Sequence, residues 1–433
     1  LPVIILGGIF DGVVTETSDN GLISGFDLDC LSSLPNLRKL LINTPDMQSL
    51  LEPLAVCVQL EELEVTGSCE LQQIDPISNL RNLKSISFSS TQVEDIDAIA
   101  SCSKLTKIDL SFTKVTHLNP LAQLPAVKHL NLSGCSLLER IDSLQNLTEL
   151  RVLQLDNTAI KDITPLASCL NLRELRLPGT KVSNIDALCA CSELRKLTLS
   201  SLSVSDISAL SHCPKLQFLH CGGSAIKDLT ALSSCRVLTV LNLGATPVSD
   251  LTPLGACTKL RELFLSSTEI DNIDVLSACS NLQILKCGNT NIKSIACLAY
   301  CTNLRTLELQ RTQVTDVTPL RSCKKLQSLN LTHTGITNVD VLSAFKNLES
   351  VSLYGTHVKS VTSLSSCDRL RFLNLSSTDV RDISPLSACG NLRSFYICDT
   401  EVSDISPISG LRKIKNLPAS FSTIEASIKE SFI

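Results

Sequence analysis

Apolar residues return along this chain in a compound rhythm. In the stretch from Leu172 to Glu193, Leu172, Leu175 and Leu177 come first, Val182 and Ile185 follow, and polar residues fill the positions between. The alternation Leu175-Arg176-Leu177 predicts a short strand with two inward leucines and one outward arginine. Val182 and Ile185 predict a return of the chain to the same core after a turn. The full pattern, L-x-x-L-x-L-x-x-T-x-V-x-D-I-x-P-L-x-x-C-x-x, recurs seventeen times, its first position running from Leu37 to Leu392. From Leu150 onward the spacing is 22 residues without exception; before that, three of five steps are 23. Such a fixed period means that each unit packs on its neighbours and that a strand in each can ladder with the next at about 4.8 Å.

The remaining positions fill in the coil. Thr180, ninth in its repeat, places a hydroxyl where turn backbone needs a partner. The thirteenth position is Asp in eight coils: Asp95, Asp162, Asp206, Asp228, Asp250, Asp316, Asp382 and Asp404. A carboxylate there caps a short 3₁₀ or helical turn, and Pro165, Pro253, Pro319 and Pro385 at the sixteenth position suit the start of such a turn. One isolated acid per coil without a glycine-rich calcium loop favours capping over metal binding. The expected fold is an α/β solenoid with a parallel sheet on the concave face and short 3₁₀ or helical turns on the convex face. The array runs over residues 37–410. Residues 1–36 read as an N-terminal cap in which Leu28, Leu31 and Leu34 resemble the tail of a degenerate repeat. Residues 411–433 read as a C-terminal cap, with a capping box at Ser422-Thr423-Ile424-Glu425 and a short helix carrying Ile424, Ile428 and Phe432 on one face.

The stretch KVSNIDALCACSELRKLTLS and the recurring V-x-D-I-x-P-L resemble the 22-residue leucine-rich repeats of internalins and of the SDS-type regulatory subunit of protein phosphatase 1, over roughly residues 30 to 410. Thr in place of the usual Asn at position nine, with Cys in place of the usual Leu at position twenty, is similar to the leucine-rich-repeat proteins of trypanosomatid protists. The resemblance implies the solenoid fold. It carries over no binding residue, because such proteins share repeats and differ in ligands.

Of the twenty cysteines, twelve occupy one repeat position, among them Cys57, Cys169, Cys257 and Cys389, where other coils place Leu80, Leu124 or Phe345. A position that accepts Cys, Leu or Phe is a core position. Laddered side chains stand too far apart for regular disulfides, so unpaired thiols point to a reducing compartment, cytosol or nucleus. Cys189 and Cys191 form a lone C-x-C without a second pair at zinc spacing. No phosphate-binding loop, dinucleotide fingerprint or nucleophile motif occurs. His220 and Cys221 are neighbours on a strand and face opposite ways. Catalytic residues, cofactors and metals are therefore not expected. The net charge of −5 argues against a general polyanion binder, and no apolar run is long enough to span a membrane as a helix. The opening LPVIILGGIF, with neither a basic flank nor an initiator Met, says nothing of compartment. Sequons at Asn131, Asn146, Asn330 and Asn374 read as accidents of the repeat.

What remains is a binding face. The second repeat position is basic in ten of seventeen coils, including Arg151, Arg173, Arg195, Arg261 and Arg305, and only Glu61 and Glu349 oppose them there. Over all five predicted outward positions, sixteen residues are basic and ten acidic. This pattern fits either long cations shielding the core with their stems or the steering of an acidic partner. Regular aromatic interleaving is missing, which disfavours nucleic acid. Phe218, His220, Val240, Asn242, Phe264 and Ile284 are expected to form a contiguous patch on adjacent strands, and Tyr354, Phe372 and Tyr396 a second anchor cluster. The reading that follows is an intracellular scaffold or recognition module that docks a protein through the central aromatic patch and its basic flank. Its rivals are a surface receptor of adhesin type, whose end Cys30 and Cys69 would close as a disulfide, and a phosphatase-regulatory subunit.

Overall fold

A computed structural model describes residues 3–6, 36–43, 51–68 and 70–411. The segments expected to cap the array, including Leu28, Leu31, Leu34 and the capping box at 422–425, lie outside these residues, as do Cys30 and Cys69. The chain divides into two units, Leu1–Leu216 and Gln217–Ile433.

Among the described residues the first unit carries nine parallel strands: β1 (Val3–Leu6), β2 (Lys39–Asn43), β3 (Glu62–Thr66), β4 (Ser85–Ser87), β5 (Lys107–Asp109), β6 (His129–Asn131), β7 (Val152–Gln154), β8 (Glu174–Arg176) and β9 (Lys196–Thr198). They pair in chain order, and β1 adds a strand beside β2 that the repeat pattern does not announce, with Val3 opposite Lys39. The second unit likewise pairs in order β10 (Phe218–His220), β11 (Val240–Asn242), β12 (Glu262–Phe264), β13 (Ile284–Lys286), β14 (Thr306–Glu308), β15 (Ser328–Asn330), β16 (Ser350–Ser352), β17 (Phe372–Asn374) and β18 (Ser394–Tyr396). The register follows the repeat: Leu241 faces Leu263, and Leu263 faces Leu285.

Each coil closes through a 3₁₀ turn, and residue spacing explains the choice over an α-helix. In the sixth coil Ile163, Leu166, Cys169 and Leu172 recur every third residue, and all four are buried. A 3₁₀ turn has three residues per turn, so this spacing eclipses them on one face. The backbone obeys: Leu166 N–H donates to Ile163 at 2.9 Å, Cys169 to Leu166 at 2.9 Å and Leu172 to Cys169 at 3.0 Å. The cap differs from expectation by one residue. Asp162 precedes the residue that opens the turn, and its Oδ1 accepts the N–H of Thr164, first residue of the turn, at 2.8 Å. All eight repeat aspartates bond the N–H two residues ahead in this way.

Thr180 donates its hydroxyl to the Leu177 carbonyl within the same coil at 2.7 Å, and Thr246 and Thr312 do likewise to Leu243 and Leu309. The position-twenty cysteines are core residues, each at most 1% exposed. Their thiols lie near carbonyls of the preceding coil, as Cys169 Sγ does 3.4 Å from the Leu144 oxygen. A thiol here fills core volume like a small hydrophobe and adds a weak donor to a carbonyl with a spare lone pair. Burial pushes the Cys169 and Cys389 thiols up to about 12.

Position eight holds a backbone feature that the apolar rhythm conceals. In sixteen coils it has a positive φ, and in eleven of them the residue is not glycine, as at Ser90, Phe112, Arg311 and His333. The left-handed conformation costs an L-residue about 1–2 kcal/mol. It also lets the N–H reach the next coil: Phe112 N–H meets the Ser133 carbonyl at 2.7 Å, and His333 meets that of Tyr354 at 2.7 Å. The turn thus extends the ladder beyond the strand end.

Candidate partner-binding face

Strand positions three and five project from the outer side of the sheet, because positions four and six are buried leucines or their equivalents. In the second unit the register places Phe218, Val240, Glu262 and Ile284 in one row and His220, Asn242, Phe264 and Lys286 in the other. The expected patch therefore spans both rows. Glu262 separates Val240 from Ile284, and Phe264 belongs to the second row, because a constant period holds every residue in the row of its own repeat position. All six candidates are half-buried. The Phe218 and His220 rings meet at 4.6 Å between centroids, tilted by 35°. Asn242 spends its Oδ1 on the Gly244 N–H at 2.9 Å, which leaves its amide as the donor available to a partner. Asn131, Asn330 and Asn374 close the same turn onto Ser133, Thr332 and Ser376, which explains why sequons arise there.

The second expected cluster divides as well. Phe372 and Tyr396 meet at 5.6 Å. Tyr354 lies past the end of β16 and pairs instead with His333, at 4.7 Å. Its repeat position, the seventh, is in the turn and not on the strand.

The basic candidates fall in two settings. Arg261 and Arg305 are exposed at the entries of β12 and β14. In the first unit Lys128, Arg151, Arg173 and Arg195 occupy position two of four successive coils, held in step by N–H to carbonyl bonds of 2.8 Å from Arg151 to Lys128, Arg173 to Arg151 and Arg195 to Arg173. The Nε atoms of Arg151 and Arg173 are buried and without a hydrogen-bond partner. At the same repeat position elsewhere, acids intervene: Glu61 takes Arg38 at 3.1 Å and Lys84 at 2.5 Å, and Glu349 takes Arg371 at 3.3 Å. Across positions two, three and five of coils four to eight, Lys107, Lys128, Arg151, Arg173, Arg176, Arg195 and Lys196 face only Asp109 and Glu174. His129 stands among them, its imidazole held below the usual range by burial and by Lys107, Arg151 and Lys128. The acids nearby already have cations. Asp156 accepts two bonds from Arg176, at 3.0 and 2.9 Å. Glu174 lies 3.5 Å from Lys196, and Glu193 pairs with Lys215.

The remaining chemistry is sparse. His220 and Cys221 diverge as expected, the thiol fully buried and pushed by burial up to about 12. Asp95, Asp97 and His117 bring one ligand atom each within 4.8 Å of one another on the exposed side of a turn, but Asp95 Oδ1 is already engaged by the Asp97 N–H.

One short parallel strand per coil of 22 or 23 residues, a leucine core and a 3₁₀ return define a leucine-rich-repeat solenoid, and the chain is a leucine-rich-repeat protein. The family model for leucine-rich repeats in two copies matches residues 125–168, 258–300, 280–322 and 302–344. No curated protein matches the sequence. Among solved structures, the chain is similar to an internalin, InlF, from Listeria monocytogenes, at 23% identity and a TM-score of 0.65, covering 74% of this chain and 88% of that one. A leucine-rich-repeat protein of Leptospira interrogans aligns at 17% identity and a TM-score of 0.75, over 90% of this chain and 98% of its own. The functional domain of InlJ from Listeria monocytogenes, which includes a cysteine ladder, aligns at 21% identity and a TM-score of 0.67, over 78% and 73%. At these identities the likeness is one of fold.

Proposed function

We propose that the chain is a non-enzymatic protein-binding module, an intracellular scaffold or targeting subunit, and that its partner docks on the outer strand face of the second unit. The observation that carries this reading is the stacked Phe218–His220 pair with Val240, Phe264 and Ile284 half-buried on neighbouring strands. Rigid aromatic anchors rimmed by polar groups supply most of the energy in protein interfaces. Arg261 and Arg305, exposed at the strand entries, suit acidic groups at the rim of a partner. Sixteen described cysteines are buried in the cores of the coils, a use of thiols as small apolar residues that suits a reducing compartment, cytosol or nucleus. The test is affinity capture from the native cell, with the intact chain and the double variant Phe218→Ser/Phe264→Ser side by side. The variant is expected to lose one protein that the intact chain retains while its melt stays nearly unchanged, since neither ring lies in the core. Identical recoveries from both would refute the reading.

A further inference from the structure

We propose that the ladder of Lys128, Arg151, Arg173 and Arg195 in the first unit is a separate site, which binds an extended acidic peptide segment through its carboxylates. The site is independent of the aromatic face of the second unit, and either can fail alone.

Three observations converge on it. The first is positive charge in excess of its counterions. Backbone bonds hold the four cations on successive coils, about 4.8 Å apart, where like charges side by side repel. At this position of the first three coils stand Arg38, Glu61 and Lys84, and the acid pairs with both cations. The ladder has no acid at its own repeat position: Asp156 and Glu174 beside it are bound to other cations, and Glu193, paired with Lys215, is the one acid among them held down by Arg173 and Arg195 as well.

The second is the pair of buried, unpartnered Nε atoms on Arg151 and Arg173. A buried N–H of a charged group without an acceptor is costly, and a native structure keeps one for a reason, completion by a water, an ion or a ligand among them. Rotation about the outer torsions would turn each Nε–Nη edge outward as a two-point fork of the kind that matches a carboxylate.

The third is dimension. Four rungs span about 14 Å, and alternate side chains of an extended peptide recur at about 6.8 Å, so three acidic residues on one side of a strand cover the same length. Nucleic acid fits less well. Bases need aromatic platforms interleaved with the cations, and the strand positions of coils four to eight offer only His129. Phe112 sits past its strand end, its ring over Gly134.

The test is fluorescence anisotropy on the full chain, with a labelled polyglutamate peptide, its polyglutamine counterpart and an oligothymidylate as probes, in about 50 and about 200 mM salt. The intact chain is expected to bind polyglutamate and not polyglutamine, and to bind more weakly in the higher salt. Arg151→Gln/Arg173→Gln should weaken the binding about tenfold or more, with a melting temperature at or above that of the parent because repulsion is relieved. Arg236→Gln/Arg321→Gln, exposed on the turn side of the second unit and outside both proposed faces, should leave it unchanged. Arg195→Gln, at an exposed rung, should weaken it several-fold. Undiminished binding by the Arg151/Arg173 and Arg195 variants, an equal loss in the Arg236/Arg321 variant, or tighter binding of oligothymidylate than of polyglutamate would each overturn the proposal.

Discussion

At the entries of β7 and β8 in the first unit stand Arg151 and Arg173; at those of β10 and β11 in the second stand Gln217 and Thr239, and the strands themselves present Phe218 and Val240. The inward residues of these same strands are leucines throughout, Leu153 and Leu175 in one unit, Leu219 and Leu241 in the other, all fully buried. The two regions therefore repeat the same strand geometry with the same inward leucines while their outer faces have separate chemistry, one cationic and one aromatic. A repeat protein can divide labour in this way because the outward positions take no part in closing the coil. Inward positions are under packing constraint, and a change there is felt by both neighbouring coils.

The core is not identical in the two units, and alkaline pH should expose the difference most strongly. Among the described residues, the first unit has six buried cysteines and the second has ten. Burial raises such thiols from 9.0 to about 11 or 12, as at Cys191 and Cys257. A thiol with a raised folded pKa contributes stability that is complete below the unfolded value and is lost as pH rises above it. Stability is expected to hold up to about pH 9 and then to fall steeply toward pH 11, with the second unit losing amide protection first in hydrogen exchange followed by mass spectrometry. Loss that begins in the first unit would break the comparison.

A smaller effect tests what the units have in common. Gly134 in the first unit and Gly355 in the second both have positive φ, and a Cβ on either would run into a ring from the preceding coil, Phe112 or His333. Gly134→Ala and Gly355→Ala should each destabilise by about 1–3 kcal/mol in denaturant titrations. The part due to the ring should disappear when Phe112→Ala or His333→Ala is added, leaving the backbone part. If only one of the two sites responds, the position-eight turn is not the shared device described above.

Much of this architecture is legible in the sequence, because period 22 fixes the ladder and the three-residue spacing of Ile163, Leu166 and Cys169 fixes the return. The capping role of Asp162 and its equivalents is legible for the same reason, since a short acid before a turn has few other uses. The rows of the outer face are harder to read. They depend on which of two outward positions each apolar residue occupies, which is how Glu262 comes to interrupt Val240 and Ile284 and how Tyr354 falls away from Phe372 and Tyr396. The left-handed turn at position eight is hidden because its occupants range from Gly134 to Phe112 and His333, and the bond that selects it joins backbone to backbone. Glycine or asparagine at several of these positions, as at Gly179, Asn157 and Asn289, is the one signal that points to it. The unpartnered Nε atoms of Arg151 and Arg173 depend on side-chain burial, which no spacing in the sequence records.

The measurement that bears most directly on the account is hydroxyl-radical footprinting of the protein alone and with its captured partner bound. The account predicts that oxidation falls at Phe218, Phe264 and Ile284 while Leu137, Leu170 and Tyr300, exposed away from the strands, keep their rates. Protection of Leu137, Leu170 or Tyr300 with Phe218 and Phe264 unchanged would contradict it and place the partner on the turn side.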